Sequence, residues 1–216
     1  MSVRINDVAP NFDAQTTQGP INFHEWIGDS YAILFSHPKD FTPVCTTELG
    51  YAAKLAPDFA ARNTKLIGLS IDPVDNHAAW AEDIEETQGS KVEFPMIGDT
   101  DLNVAKLYDM LETDEESGDA RTAATNATVR TVFIIGPDKK IKLLMSYPMS
   151  AGRNFEEILR VLDAIQTGES NGVATPVNWV KGDDVIIPPT VSDDAAAEKF
   201  PQGFTTVKPY LRYVKL

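Results

Sequence analysis

The sequence predicts an α/β protein built on a parallel sheet, with a smaller extension after it. Three observations carry this. The short apolar runs Tyr31 to Phe35, "YAILF", and Lys65 to Asp72, "KLIGLSID", have the continuous character of strands covered on both faces. Each is followed by apolar residues at helical spacing, and a strand–helix alternation is the mark of parallel crossover units. From about Glu169 that rhythm stops.

After the lead-in and the first strand, apolar residues from Thr46 onward fall at Leu49, Ala52, Ala53, Ala56, Phe59 and Ala60, one stripe of an amphipathic helix. Pro57 is expected to kink or shorten it. The second strand leads into a helix over about Asn76 to Glu86, carrying Ala78, Ala79 and Trp80. The stretch "RTVFIIGPDKKIKLLMSYP" reads as strands Thr131 to Ile135 and Ile141 to Tyr147, joined by a Gly-Pro-Asp turn suited to a hairpin. Phe155, Ile158, Leu159, Leu162 and Ile165 mark the next helix, with Asn154 as its cap and Gly168 as its stop. Residues 1–168 are therefore read as the main domain and 169–216 as an appended domain or arm. That arm contains Trp179, Phe200, Phe204, Tyr210 and Tyr213, too many large apolar rings to leave in water. The acidic run Leu111 to Ala120 reads as a solvated loop.

Composition removes several function classes. A net charge of −13, from 19 basic and 32 acidic residues, repels phosphate backbones, so nucleic acid is not an expected partner. No apolar run approaches the roughly 18 residues of a membrane span. The start "MSVRINDVAP" has the character of neither a secretion signal nor a transit peptide, so a cytoplasmic protein is expected. One cysteine cannot close an intramolecular disulfide, and with three histidines it makes no ligand set for a structural zinc site. A redox cycle through that cysteine must borrow another molecule's thiol.

The cysteine lies in "SHPKDFTPVCTTELG", between the first strand and the first long helix. In open α/β sheets, ligands bind beyond the carboxyl ends of strands, and this loop falls there. A cysteine in the first turn of a helix meets unpaired backbone N–H groups and the positive end of the macrodipole, which stabilise an anion and favour the nucleophilic thiolate. Pro38 and Pro43 restrict the loop and the residues preceding them, His37 and Thr42. Thr42 is near enough for its hydroxyl to serve whatever binds at the sulfur, and Glu48 is placed either to close a capping arrangement or to orient an arginine. A buried, inert cysteine is the competing reading, but a rigid helix start is a poor core position and a good anion site.

The same string resembles the active-site segment of peroxiredoxins, with their P-x-x-x-T-x-x-C pattern at Pro38, Thr42 and Cys45. "LIGLSIDPVDNHAAW", "FPMIGD", "RTVFIIGPDKKIKLLMSYP" and "GRNFEEILRVLDAIQ" extend the resemblance, of the one-cysteine, peroxiredoxin-6-like class, over nearly the whole chain. It implies a thioredoxin-like fold with a C-terminal peroxiredoxin extension, a homodimer or higher oligomer, and reduction of hydrogen peroxide and organic hydroperoxides without metal, haem or other cofactor. It also implies that Cys45 is the peroxidatic residue, that Thr42 and the Cys45 N–H hold the peroxide, and that Arg130 stabilises the thiolate and the leaving oxygen. A guanidinium, always charged and with several donors in a fixed fork, suits that double task. Arg153 is a candidate second arginine. His37 is expected near the cysteine, where it modulates charge or takes a proton, and Pro38 is expected to shield the sulfur.

The departure from two-cysteine relatives is the missing resolving thiol. An external reductant is therefore expected: glutathione, a thioredoxin-like protein or a small molecule. Overoxidation to sulfinic acid is the accompanying liability. Two other readings stand beside this one. "GDSYA" partly resembles the serine motif of a phospholipase activity in animal one-cysteine relatives, with Ser30, His24 and Asp138 as its residues, although Ala32 replaces the last elbow glycine and Ser30 precedes a strand. A holdase or redox-sensor role would use the same Cys45. His77 and Trp80 are read as core or interface residues with no chemistry.

Overall fold

The computed structural model describes residues 3–113, 122 and 126–216; the acidic run read as a solvated loop lies outside them from position 114 onward. The chain divides into two compact units, 1–155 and 156–216.

The first unit is organised on a seven-stranded sheet in the order β2-β1-β5-β4-β3-β6-β7. Its centre is the pair the apolar runs predict: β3 (Tyr31–Ser36) lies parallel to β4 (Thr64–Ser70), which lies parallel to β5 (Met96–Gly98). The crossovers between them are α2 (Pro43–Ala60) and α3 (Val74–Gln88). On the other side β6 (Arg130–Ile135) runs antiparallel to β3 and forms the expected hairpin with β7 (Ile141–Tyr147). The remaining edge is a second hairpin, β1 (Asp13–Thr16) and β2 (Gly19–Asn22). Short helices α1 (Phe23–Ile27) and α4 (Asn103–Leu107) complete the unit.

Side chains alternate across the pleat. Ala32 and Leu34 of β3, Ile67 and Leu69 of β4, and Phe133 and Ile135 of β6 join one fully buried cluster, which also takes Phe23, Ile27, Val104 and Tyr108. Phe35 points the opposite way and meets Phe94 and Phe155 edge-on, with ring centroids 5.7 and 5.6 Å apart. Both faces of the central strands are thus covered, which is why they read as continuous apolar runs rather than alternating ones.

Two helix boundaries differ from expectation. Of the two effects expected of Pro57, shortening does not occur: α2 continues to Ala60. Pro57 sits in the last turn, where only one carbonyl loses its donor, and buried Leu49, Ala52, Ala53 and Phe59 hold the helix regardless. Helix α5 (Phe155–Asn171) passes through Gly168 and stops one turn later, at Gly172. Gly172 takes φ +57°, and its N–H donates to the Gly168 carbonyl at 2.8 Å. The helix ends where a glycine adopts the left-handed conformation, not at the first glycine available. Gly172→Ala should lower stability by about 1 kcal/mol, the left-handed cost of a Cβ, read as an earlier urea midpoint. An unchanged midpoint would mean that the turn relaxes freely.

The second unit contains a three-stranded antiparallel sheet, β8 (Val185–Ile187), β10 (Leu211–Val214) and β9 (Thr205–Lys208), with β10 in the middle. Helix α6 (Asp193–Lys199) is capped by Ser192, whose side chain accepts from the Ala195 N–H. Its core gathers Val173, Trp179, Val185, Ile187, Ala196, Phe200 and Val214. Of the rings expected to be sheltered, Trp179 and Phe200 are buried, but Tyr210 remains exposed.

Candidate active site

The β3–β4 ladder runs to Ser36 and Leu69, so the segment that follows, 37–42, leaves from the carboxyl edge of the sheet. Thr42, with φ −118° and ψ 147°, is the N-cap of α2 and Pro43 its first residue, a position where the absent N–H costs nothing. The first closed turn is the bond from the Thr46 N–H to the Thr42 carbonyl at 2.9 Å. The N–H of Cys45 precedes that turn and keeps its donor for a ligand. Cys45 itself is fully buried.

Arg130, first residue of β6, brings Nη1 to 3.4 Å from the Cys45 Sγ. The same nitrogen donates to Glu48 Oε2 at 2.6 Å, while Nε and Nη2 both donate to the Met149 carbonyl, at 2.9 and 2.7 Å. One Nη2 hydrogen is left for a bound oxygen. Glu48, one turn past Cys45 on α2, is also gripped by Arg153, through its backbone N–H at 2.7 Å, Nε at 2.9 Å and Nη2 at 2.7 Å. Arg153 donates its remaining fork to the Thr131 carbonyl and lies against the rings of Phe35 and Phe155. Burial pushes the Glu48 carboxyl up, but the bonds and charge of Arg153, then of Arg130, outweigh it and hold Glu48 below the usual carboxylate range. Two buried cations and one buried anion leave an excess of one positive charge beside Sγ.

The candidates therefore separate. Cys45, Arg130, Glu48 and Arg153 form one network, in which Arg153 acts on Glu48. Glu48 takes the arginine-orienting alternative: both its oxygens accept from Arg130 and Arg153, and as the sixth residue of α2 it lies past the third position from which a capping box is closed. The Thr42 hydroxyl donates instead to the Lys39 carbonyl at 2.8 Å, leaving its lone pairs as acceptors. Pro38 is buried in the loop.

His37 belongs to a different cluster. Its Nε2 lies 2.8 Å from Asp40 Oδ1, its backbone carbonyl accepts from Thr128, and the other Asp40 oxygen meets Nδ1 of His77 at 2.5 Å. Burial takes His37 below the ordinary histidine range against the opposing pull of Asp40. For Asp40, burial pushes the carboxyl up, but the two histidine bonds prevail and bring it to about 2. No hydrogen bond joins His37 to Cys45 among the described residues. His77 is fully buried, as a core residue should be, but its pairing with Asp40 was not legible: the two are 37 positions apart and only the crossover through α3 brings them together. Three potential metal ligands converge here. Their 2.5 and 2.8 Å spacings are those of hydrogen-bonded pairs, shorter than the ligand–ligand edge of about 3.3 Å around a tetrahedral zinc. Trp80 is buried and donates to the Thr46 hydroxyl at 3.2 Å.

The serine motif is not assembled. Ser30 bonds Asn63 at 3.2 Å, the His24 ring bonds the Ala9 carbonyl at 2.8 Å, and Asp138 pairs with Lys142 at 2.8 Å. Each member is engaged elsewhere, and Ser30 sits ahead of β3 rather than on a strand-to-helix elbow.

Comparison with known proteins agrees with the Cys45 geometry. Residues 5–144 match the AhpC/TSA family, and residues 164–203 match the C-terminal domain of 1-Cys peroxiredoxin. The chain is 55% identical to the mitochondrial peroxiredoxin of Saccharomyces cerevisiae over 99% of its own length and 81% of that protein. It is 53% identical to peroxiredoxin-6 of Rattus norvegicus, over 97% of this chain and 96% of that one. A solved structure of the yeast mitochondrial 1-Cys peroxiredoxin, described as resolving its thiol through glutathione and thioredoxin systems, superposes with a TM-score of 0.88 at 52% identity, covering 99% of this chain and all of that one. A cysteine-to-serine mutant of the peroxiredoxin 6 of Arenicola marina gives 0.90 at 44% identity, covering 99% and 98%. The fold is thioredoxin-like with the C-terminal extension of the class, and the chain belongs to the AhpC/TSA family as a one-cysteine peroxiredoxin, a thiol peroxidase.

Proposed function

We propose that Cys45 is the peroxidatic residue and that hydrogen peroxide and organic hydroperoxides are its oxidants. The Sγ thiolate attacks the terminal peroxide oxygen; the S–O bond forms as the O–O bond breaks, and the electron pair leaves on the departing oxygen, which takes a proton and exits as water or an alcohol. Cys45 is left as sulfenic acid. The single observation that carries this is the Arg130 Nη1 contact with Sγ at 3.4 Å, at a helix start whose free N–H groups and excess positive charge stabilise both the attacking and the departing anion. In this reading Thr42 and the Cys45 N–H hold the peroxide, Arg130 is catalytic, Glu48 and Arg153 are positioning residues, and Pro38 keeps water from the sulfur.

The sulfenic acid is reduced by an external thiol, in line with the single cysteine of the sequence and with the glutathione and thioredoxin systems described for the yeast relative. Residues 1–168 act as the peroxidase domain and 169–216 as the dimerisation extension of a homodimer; exposed Val177, Val207 and Tyr210 in that extension supply apolar surface for it. No described helix is long and apolar enough to cross a membrane, and residence is assigned to the cytoplasm, to be read by cell fractionation because one relative is mitochondrial.

The test is a single turnover. Reduced protein mixed with hydrogen peroxide should convert stoichiometrically to Cys45 sulfenic acid, seen by mass spectrometry, far faster than free cysteine reacts. Thr42→Val, which keeps the shape and removes the hydroxyl, should slow that conversion by roughly tenfold. Oxidation at the rate of free cysteine would sink the assignment.

A further inference from the structure

Two segments meet over Cys45: 36–47, which carries it, and 147–153, whose Met149 carbonyl holds Arg130. They touch where a Cβ on Gly152 would stand 3.5 Å from Cγ1 of Val44, the residue before the cysteine. Their outer surface is apolar or uncharged, with Phe41 54% and Met149 37% exposed, save for one side chain, that of Lys39. His37, Asp40 and Arg153 are buried. In a chain with 32 acidic and 19 basic residues, these two segments show the solvent one ammonium and no carboxylate. The first turn of α2, where acidic residues are ordinarily favoured, also has none.

Lys39 is fixed at its backbone and free at its tip. Its carbonyl accepts from the Thr42 hydroxyl at 2.8 Å, and it stands between the buried Pro38 and Asp40. The carboxylate of Asp40 is already taken by His37 and His77, and among the described residues the Lys39 ammonium makes no ion pair. Behind this surface, Arg130 and Arg153 face the single carboxylate of Glu48, an excess of one positive charge. The approach to Cys45 is therefore positive outside and inside, against a net charge of −13 on the whole chain.

Hydrogen peroxide carries no charge and gains nothing from an exposed ammonium. The second half of the cycle differs, because its thiol reacts as the thiolate, and a strongly acidic chain repels an anionic thiol on approach. We propose that Lys39 is a specificity-determining residue for the reducing step: its ammonium pairs with a carboxylate of an incoming anionic thiol, the class to which glutathione belongs, with two carboxylates against one ammonium. The thiolate sulfur then attacks the Cys45 sulfenic sulfur; the S–S bond forms, the S–O bond breaks, and the departing hydroxide takes the proton the thiol gave up and leaves as water. Lys39 touches the carboxylate and takes no part in making or breaking these bonds. An exposed pair adds little to equilibrium binding, so its weight falls on the association rate, where complementary charge acts and salt screens it. The proposal rests on Cys45 being the peroxidatic residue.

The test uses the full chain and its Lys39→Glu variant. Sulfenic protein made with hydrogen peroxide is mixed with glutathione, 2-mercaptoethanol or cysteamine, thiols of negative, zero and positive charge, and mixed-disulfide formation is followed by mass. The ratio of variant to parent for each thiol cancels differences in thiol reactivity. At an ionic strength of about 0.01 M the Glu variant should react about tenfold more slowly with glutathione, several-fold faster with cysteamine and within about twofold with 2-mercaptoethanol. At about 1 M, where screening is nearly complete, the ratios should converge. Lys39→Arg keeps the charge and should keep the parental order of the thiols. An unchanged glutathione rate in the Glu variant, an equal change for every thiol, or an Arg variant as slow with glutathione as the Glu variant would overturn the role of Lys39. Absence of fast sulfenic acid formation in the parent protein would instead overturn the peroxidatic assignment beneath it.

Discussion

Arg130→Met will slow the oxidation of Cys45 by hydrogen peroxide by roughly a hundredfold or more, the usual cost of removing one preorganised donor from a developing oxyanion. Methionine keeps much of the volume, so the loss isolates charge and hydrogen bonding. Three things go at once: the Nη1 contact with Sγ at 3.4 Å, the remaining Nη2 hydrogen available to the peroxide, and the whole of the cationic excess beside the sulfur, since Arg153 and Glu48 then balance each other. Arg130→Lys should recover only part of the rate, because an ammonium cannot span Met149, Glu48 and Sγ in one plane. Stopped-flow measurement over a range of peroxide concentrations gives the second-order constant directly. A value within threefold of the parent would remove Arg130 from the chemistry and leave it a structural ion pair.

Glu48→Gln should produce the largest loss of stability. It leaves two buried guanidinium groups without their shared counter-ion, and breaking a buried pair from one side typically costs about 3–5 kcal/mol. The amide also turns an N–H toward donors that need an acceptor. Urea unfolding reads this as a markedly lower midpoint, and an unchanged midpoint would mean that Arg130 and Arg153 find other acceptors at no cost. The same carboxylate governs acid stability. Its folded value lies below 4.5, so its contribution is complete above about pH 4.5 and is lost as pH falls through the folded value. Asp40 behaves alike, its contribution fading between 3.8 and about 2. The parent protein should therefore lose stability steeply on acidification below about pH 4.5, and the Glu48→Gln variant less steeply, having already lost one of these groups.

Much of this was readable from the chain. Because β3 and β4 are covered on both faces, their sequences had to be continuously apolar, and because Pro38 and Pro43 bracket a loop that opens a helix, Cys45 had to lie in its first turn. Local chemistry determines such features, and a sequence displays local chemistry. The resemblance added Arg130, 85 residues away, which no spacing argument reaches. Helix ends were less legible: Gly168 and Gly172 are equivalent as letters, and only the positive φ at Gly172 tells which one stops α5.

The tertiary structure alone decided the pairings. Glu48 had two roles open to it, and the convergence of β6 with the segment after β7 assigned it to Arg130 and Arg153. His37 and His77 looked like a candidate modulator and a core residue; packing of α3 beside the β3 loop made them two arms of one carboxylate. Ser30, His24 and Asp138 followed a motif in order but were never drawn together. The physical reason is common to all three. A side chain's local conformation is set by its neighbours in sequence, whereas its hydrogen-bond partner is whichever acceptor or donor the sheet order brings into the same buried volume, where leaving a polar group unpaired is the costlier outcome.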